Sequence, residues 1–221
     1  MTPRAPSKQR LARVSATLQA IEATVPEPRC ELDFSSPFEL LVATILSAQT
    51  TDRTVNLVTP GLFAKYPNAE ALAGAALSEV EALIKPTGFY KNKARNIVAT
   101  AGRLVALHGG AVPESMAELV ALPGVARKTA NVVLGTGFGI ASGITVDTHV
   151  LRVSKRLGFT RHTDPVKVEA DLMRVIAPAR WIATGHRLVL FGRYTCLARK
   201  PRCVGCACAD LCPARRKLVG G

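Results

Sequence analysis

The stretch LPGVARKTANVVL, residues 122–134, joins two predicted helices through a very short turn. Pro123 and Gly124 end the first helix, and the second helix begins at once, at Arg127. The unpaired backbone N–H groups at the start of the second helix therefore face outward beside the glycine, where such groups can bind phosphate. Pro-Gly turns are also common in helical proteins. Taken alone, this stretch predicts a helical hairpin and leaves phosphate binding open.

The sequence on both sides of this hairpin predicts helices and no strand long enough to build a sheet. Ser36 and Glu39 have the spacing of a capping box with Pro37 at the first helical position, and Ser78 and Glu81 repeat the box. Other helices are predicted around Leu11–Val25, over Asn92–Leu107, Pro113–Leu122 and Arg127–Leu134, and starting at Asp147, Asp164 and Trp181. The fold class is therefore all-α.

Lys128 and Asp147 are candidate catalytic residues. Lys128 lies just inside the second hairpin helix, and Asp147, in ITVDTHV, is the candidate N-cap of a later helix. In the simpler interpretation, Lys128 contacts backbone phosphate and Asp147 only caps its helix. In the other, both side chains face one cleft, with Lys128 as an amine nucleophile and Asp147 as its carboxylate partner. The two residues alone do not decide between these interpretations.

Four cysteines near the C-terminus have the spacing C-x6-C-x2-C-x5-C: Cys196, Cys203, Cys206 and Cys212. Zinc sites usually combine two C-x2-C pairs, whereas one pair flanked by single cysteines better matches the corners of a [4Fe–4S] cluster. The spacing therefore favours a [4Fe–4S] cluster, with a zinc site and reduced free thiols as alternatives. Cys208 breaks no spacing and is not expected to be a ligand.

The loop between the first two of these cysteines is basic and contains Arg199, Lys200 and Arg202. Metal bonds on both sides would hold the loop rigid, and a rigid basic loop suits contacts to phosphate. An ordinary solvated run of charge is the alternative.

The chain has 29 Lys and Arg against 16 Asp and Glu in 221 residues, a formal net charge of +13. This excess favours a polyanionic partner, with nucleic acid ahead of an anionic membrane surface. Solubility alone requires a charge of only about 2 to 8. Hydrophobic residues make up 48% of the sequence, which excludes a chain disordered throughout. No targeting or membrane segment is recognisable, so we expect a cytoplasmic protein.

Five motifs together resemble the endonuclease III family of helix-hairpin-helix DNA glycosylases. They are ILSAQTTD (45–52), TGFYKNKA (87–94), LPGVARKTANVVL (122–134), VDTHVLRV (146–153) and GRYTCLARKPRC with the cysteines that follow (192–212). The resemblance implies two lobes with a DNA-binding cleft between them. One is a six-helix barrel over residues 30–141, with the helix-hairpin-helix at about 115–135. The other, residues 1–29 plus 142–221, holds the [4Fe–4S] cluster in the loop 196–212.

The resemblance also implies an activity. Double-stranded DNA containing damaged bases or abasic sites is the expected partner of a monomer associated with a bacterial-type nucleoid. The enzyme would excise oxidised pyrimidines with Lys128 as Schiff-base nucleophile and Asp147 as catalytic partner, and would cleave the strand by β-elimination. The lysine favours this bifunctional lyase over the related mismatch-adenine glycosylases. Excision of a pyrimidine dimer or a mismatched base, and a non-catalytic iron–sulfur DNA-binding protein or redox sensor, are the alternatives.

The expected DNA contacts follow from the resemblance and from the patterns described above. Gln49 and Phe89 are expected at the mouth of the cleft, where they would fill the space left by a flipped nucleotide, although Phe89 could instead be a core aromatic. The remaining expected DNA contacts are Gly124, Val125, Ala126, Arg127, Thr129, His149, Arg199, Lys200 and Arg202. Ala126 departs from the family pattern, which usually has a second glycine, and this is harmless where φ is negative. Thr50 and Phe89 also vary around the family motif, which leaves the lesion preference open.

Overall fold

The structure is a computed structural model that describes residues 5–219. Over these residues the chain forms helices and no strand, as expected for an all-α protein. The α-helices are α1 (Lys8–Thr24), α2 (Pro37–Leu46), α3 (Asp52–Lys65), α4 (Ala69–Ala73), α5 (Leu77–Ile84), α6 (Tyr90–His108), α7 (Met116–Val120), α8 (Arg127–Val132), α9 (Thr148–Arg156), α10 (Pro165–Met173), α11 (Trp181–Tyr194) and α12 (Arg215–Val219). Single 3₁₀ turns cover Lys85–Thr87, Pro178–Arg180 and Ala209–Leu211, and a π-helical turn covers Val133–Gly137.

The chain divides into two compact units. The unit Cys30–Ser142 contains α2 to α8. Its core is centred on α2, in which every residue from Leu40 to Leu46 is buried, and on the inner face of α6, where Ile97 and Leu104 are fully buried. Helix α2 is therefore apolar on all sides, as a central helix must be.

The other unit joins Met1–Arg29 to Gly143–Gly221 and contains α1 and α9 to α12. Its core includes Ile21 of α1, Val150 of α9, and the two fully buried aromatic residues Phe159 and Phe191. The start and the later part of the chain therefore share one hydrophobic core in this unit.

Several predicted helix starts are confirmed by side-chain caps. Ser36 Oγ accepts a hydrogen bond from the Glu39 N–H at 3.2 Å, and Asp147 and Asp164 cap α9 and α10 in the same way. The Glu39 carboxylate accepts from the Ser35 N–H at 2.6 Å. In a standard capping box this bond comes from the N–H of the N-cap residue, here Ser36. A side-chain cap satisfies an N–H that the helix itself leaves unpaired.

Other predictions from the sequence were wrong. Ser78 does not cap a helix, because α5 begins at Leu77 with Ala76 as its N-cap and no side-chain bond. Helix α3 was not predicted, since Pro60 lies inside it. The predicted helix starting at Pro113 begins only at Met116, and the helix predicted over Arg127–Leu134 changes to a π-helical turn at Val133. None of the helices in the described residues is long and apolar enough to cross a membrane.

Candidate active site and cysteine centre

The turn of the hairpin depends on the glycine at 124. Gly124 has φ +74°, a left-handed conformation that glycine adopts without steric cost. A Cβ atom at this position would also lie 2.8 Å from Nδ2 of Asn96 in α6, much closer than ordinary contact. The Val125 N–H donates to the Leu122 carbonyl at 3.2 Å and closes the turn. Backbone conformation and packing therefore both require glycine here.

Helix α6 also holds the hairpin through two longer-range hydrogen bonds. Thr100 Oγ1 donates to the Pro123 carbonyl at 2.7 Å, and Arg103 Nη1 donates to the Ala121 carbonyl at 2.9 Å. Buried Thr100 and the contact between Asn96 and Gly124 lie on the same face of α6. The position of the hairpin is thus set by a helix from the core of its own unit.

The predicted DNA-contacting residues of the hairpin differ in exposure. Arg127 and Lys128 are exposed at the start of α8, whereas the side chains of Val125 and Thr129 are buried. Contacts from these two residues to a ligand would therefore have to use the backbone. Ala126 is the N-cap of α8 with φ −87° and ψ 167°, an extended conformation in which a Cβ atom causes no strain.

The two candidate catalytic residues belong to different units, and each is described within its own. Lys128 is an exposed residue in the first turn of α8. Asp147 is half-buried at the N-cap of α9, where its Oδ1 atom accepts from the Val150 N–H at 2.8 Å. The start of a helix favours a negative charge, so α9 both orients and stabilises this carboxylate.

His149, in the first turn of α9, is packed against α11. A Cβ atom at Gly192 of α11 would lie 2.9 Å from the His149 Cβ, so the glycine allows the two helices to approach closely. Arg152 Nη2 lies 3.2 Å from His149 Nδ1 and donates to the Gly192 carbonyl at 2.8 Å. Burial lowers the pKa of His149, while the nearby Asp147 raises it. This histidine is therefore held in place by neighbours on both helices.

Gln49 and Phe89 share an uncommon backbone conformation. Both are exposed non-glycine residues in the left-handed region, with φ 53° and 48°. Phe89 is 70% exposed, so the interpretation of this residue as a core aromatic was wrong. A left-handed non-glycine residue costs on the order of 1 kcal/mol and persists only where its surroundings impose it. Both residues are therefore constrained side chains at the surface.

A hydrogen-bonded group that the sequence analysis missed lies directly beside these two residues. The Lys93 ammonium of α6 donates to Thr50 Oγ1 at 2.6 Å and to the Thr87 carbonyl at 2.8 Å. Thr50 Oγ1 in turn donates to the same carbonyl at 2.5 Å. Lys93 is only 5% exposed, and burial lowers its pKa. In the sequence Lys93 is one of two lysines in TGFYKNKA, and only its buried position in α6 distinguishes it from Lys91.

The four cysteines predicted as ligands lie around one cavity. Its lining includes all four and also Cys208, together with Leu157, Phe191 and Pro201 of the basic loop. Burial raises the pKa of Cys203, and the charges of the neighbouring Cys196, Cys206 and Cys212 raise it further. Within the described part of the chain, no group of three or more His, Cys, Asp or Glu side chains is arranged to hold a metal ion.

Cys208 and Cys30 differ from these four. Cys208 is 1% exposed and belongs to the hydrophobic core of its unit, with Sγ 3.8 Å from the Thr17 carbonyl oxygen. Burial raises the pKa of this thiol to about 12, with the neighbouring thiols adding to the effect. Cys30 is half-buried against the core of the other unit. Both therefore have environments typical of packing residues.

Arg156 connects α9 to the basic loop that follows Cys196. Its guanidinium donates to the Leu197 carbonyl at 2.6 Å and to the Ala198 carbonyl at 3.0 Å. In the same loop Arg199, Lys200 and Arg202 are exposed, and Lys200 has φ 49°. The loop is thus fixed by its backbone while its three cationic side chains remain available. The basic loop was predicted from the sequence, whereas the role of Arg156 in holding it was not.

Comparison with known proteins gives consistent results. Residues 42–178 match the family model described as HhH-GPD superfamily base excision DNA repair protein. The chain is 50% identical over 202 residues to endonuclease III of Synechocystis sp., covering 91% of this chain and 92% of that protein. It resembles a trapped endonuclease III–DNA covalent intermediate with TM-score 0.90 and 45% identity, covering 94% and 97% of the two chains. A non-covalent endonuclease III–DNA complex gives TM-score 0.92 at 44% identity, over 96% and 99%.

Proposed function

The chain belongs to the HhH-GPD superfamily of base excision DNA repair proteins and is a DNA glycosylase with abasic-site lyase activity, and we propose that it excises oxidised pyrimidines through Lys128. The observation that carries this proposal is an exposed lysine beside the hairpin turn, on a helix start that carries no side-chain cap. DNA-bound relatives of the same fold, one of them a covalent intermediate, support it.

In the proposed reaction, the target nucleotide first leaves the base stack, because C1′ is not reachable within the duplex. The neutral amine of Lys128 forms a bond to C1′ as the glycosidic bond breaks and the base departs with the bonding electrons. The nitrogen lone pair then forms a double bond to C1′ as the C1′–O4′ bond breaks, and O4′ takes up the proton that the attacking amine has given up, which opens the sugar ring. The resulting protonated imine acidifies the C2′ proton. Loss of that proton expels the 3′ phosphate, which is β-elimination.

We propose that Asp147 acts on the positive charge that develops on the sugar during this substitution. Its Oδ1 atom accepts from the Val150 N–H, which fixes the orientation of the carboxylate. It would stabilise the positive charge that forms on the sugar as the base departs, or accept a proton from the attacking amine. His149 would then support the start of α9 and contact DNA beside Asp147.

The proposed DNA contacts fall into two classes. The backbone around Gly124, Val125 and Ala126 together with Arg127 and Thr129 would bind phosphate, as would Arg199, Lys200 and Arg202 in the basic loop. These contacts position the duplex without reading its sequence. Gln49 and Phe89 would occupy the space vacated by the flipped nucleotide. Binding should weaken steeply as salt increases, because each neutralised phosphate releases counterions.

We propose that Cys196, Cys203, Cys206 and Cys212 hold a [4Fe–4S] cluster. All four line one cavity, as the ligands of a single centre would, and in the sequence one C-x2-C pair is flanked by single cysteines. This arrangement fits a cluster held at four corners better than a tetrahedral zinc ion. When bound, the cluster would brace the basic loop. The unit Met1–Arg29 plus Gly143–Gly221 would be the cluster lobe, and Cys30–Ser142 the barrel lobe with the helix-hairpin-helix.

The decisive experiment for the nucleophile is borohydride trapping on duplex DNA containing thymine glycol. Wild-type protein should form a covalent adduct, because borohydride reduces the imine between Lys128 and C1′. Lys128→Gln should form none while still binding the duplex, and Lys91→Gln, which removes an exposed lysine of α6 in the same unit, serves as the matched control. Trapping by Lys128→Gln at the wild-type rate would assign the nucleophile to another amine. Parallel substrates with a pyrimidine dimer or a mismatch test the alternative lesions.

The cluster is tested by metal analysis of anaerobically purified protein. We expect about four irons per chain and absorption near roughly 400 nm for a [4Fe–4S] centre. Cys203→Ser should lose iron and DNA affinity, whereas Cys208→Ser, at a buried cysteine that is not a proposed ligand, should retain the iron. Stoichiometric zinc without iron would overturn this assignment.

Because duplex DNA is the proposed substrate, we also propose that the protein works on the nucleoid in the bacterial cytoplasm. We propose that it does so as a monomer.

A further inference from the structure

The Lys93 ammonium is buried with two neutral oxygen partners. These are the Thr50 hydroxyl and the Thr87 carbonyl, and neither carries a charge to offset that of the lysine. Lys93 also lies in the first turns of α6, where the helix dipole disfavours a cation. Burying an ion costs several kcal/mol of desolvation, so an uncharged methionine in the same space would avoid this cost. A simple packing role therefore does not account for a lysine at this position.

The two partners of Lys93 belong to different loops. Thr50 directly follows Gln49 after the end of α2, and Thr87 lies two residues before Phe89 at the start of α6. The Thr50 hydroxyl also donates to the Thr87 carbonyl, so the three groups form a closed hydrogen-bonded triangle. Charge-assisted bonds of this kind are stronger than bonds between neutral groups. Lys93 thus links the two loops through hydrogen bonds to both.

The triangle lies where the backbone is strained. Gln49 and Phe89 are both in the left-handed region, which a non-glycine residue adopts only under constraint. Gly88, between Thr87 and Phe89, also has positive φ, at 65°. Without a connection between them, each loop could relax independently, and the exposed Gln49 and Phe89 side chains would lose their fixed relation.

We propose that Lys93 is a positioning residue that holds Gln49 and Phe89 in the arrangement needed to enter an opened duplex. The inference rests on the proposed function, in which these two side chains fill the space left by the flipped nucleotide. Lys93 itself touches no DNA in this scheme, because its ammonium is enclosed by Thr50 and Thr87. Its contribution should therefore appear only when the substrate has a base stack to open.

The test compares borohydride trapping on the same abasic site in duplex and in single-stranded DNA, under single-turnover conditions. Lys93→Met keeps the length of the side chain and removes the ammonium. We expect it to slow trapping on the duplex roughly tenfold or more, as misplaced groups do, and to leave trapping on the single strand unchanged. Lys91→Met, at an exposed lysine two residues away, should match wild type on both substrates.

A second pair of variants keeps the test valid if Lys93→Met does not fold. Thr50→Val removes the bridging hydroxyl at nearly constant shape and should give the same loss on the duplex, whereas Thr50→Ser restores the hydroxyl and should restore the duplex rate. A melting temperature measured for each variant reports whether it is folded.

The possible outcomes distinguish the positioning role of Lys93 from the proposed lyase function on which it rests. Equal slowing on both substrates by Lys93→Met, or no slowing on either, would overturn the positioning role. If wild-type protein traps neither substrate, the proposed lyase function fails instead, whatever Lys93 does.

Discussion

In the unit that carries the cysteines, the Arg156 Nη1 atom lies 3.3 Å from the Cys196 Sγ atom. The same nitrogen donates to the Leu197 carbonyl at 2.6 Å, so one guanidinium contacts both a proposed cluster ligand and the loop that follows it. From the other side, the Cys212 Sγ lies 3.5 Å from the Arg156 carbonyl oxygen. Helix α9, whose N-cap is Asp147, therefore ends beside both the first and the last of the four cysteines. A single helix connects the proposed catalytic carboxylate to the proposed cluster.

The first prediction concerns this arginine. Arg156→Gln should lower the free energy of unfolding by ~1–3 kcal/mol, because it leaves partly buried carbonyls of the loop without their charged donor. The melting temperature should fall by roughly 5 °C, measured by circular dichroism on the protein as purified. Lys155→Gln, at the exposed neighbour in the same helix, is the control. Equal melting temperatures for both variants would show that the loop does not depend on Arg156.

The second prediction concerns the hairpin turn. Gly124→Ala places a Cβ atom against Asn96 at positive φ, so it should cost ~1–3 kcal/mol and weaken binding to duplex DNA. Gly102→Ala is the matched control, since Gly102 lies in α6 with nothing within 4 Å of an added Cβ, and it should stabilise the protein by ~0.5–1 kcal/mol. Urea denaturation and fluorescence anisotropy with labelled DNA give the two quantities. Unchanged stability of Gly124→Ala would mean that the turn can move away from α6.

The third prediction separates the side chain of Phe89 from its backbone. Phe89→Ala should change the free energy of unfolding by less than about 0.5 kcal/mol, because the ring is mostly exposed. Phe89→Gly also removes the ring but relieves the positive φ, so it should be at least as stable as wild type. Both should slow single-turnover base excision to a similar extent if the ring fills the vacated space. A large loss of stability in Phe89→Ala with normal excision would instead indicate a packing role.

The sequence predicted those parts of the fold that depend on local chemistry. Ser36, Asp147 and Asp164 were identified as caps because a short polar side chain bonds to an N–H two or three residues later. Helix α3 was missed because Pro60 within it is a local signal for a break, and packing of Val55 and Leu62 in the core overrides that signal. Packing in the core thus stabilises a helix that the local sequence does not predict.

The same distinction applies to the site. Lys128, Asp147 and the four cysteines could be named from spacing and motif, because each lies in a short pattern of the sequence. Lys93 could not, since its partner Thr50 lies 43 residues away in the sequence and meets it only through the packing of two separate segments.

The last prediction concerns pH and two half-buried histidines, His149 and His186. Burial lowers the pKa of His186, and it is also the largest effect lowering the pKa of His149, so the folded protein disfavours protonation of both. In the unfolded chain each has a pKa near about 6.5 and gains a proton as the pH falls below that value. Between the unfolded pKa and the lower folded pKa, the unfolded state therefore binds more protons, and stability decreases as the pH falls.

The expected slope is up to about 1.4 kcal/mol per pH unit for each histidine within that window, with no contribution well above pH 7. Urea denaturation of the protein as purified between pH 5.5 and 8, as a range around the histidine pKa of roughly 6.5, measures this slope. His186→Gln cannot take up the proton, so its stability should decline less steeply on the acid side while its curve runs parallel to wild type above neutral pH. The same acid-side slope in both proteins would show that His186 does not contribute, and the remaining slope would then have to come from His149 or from carboxylates.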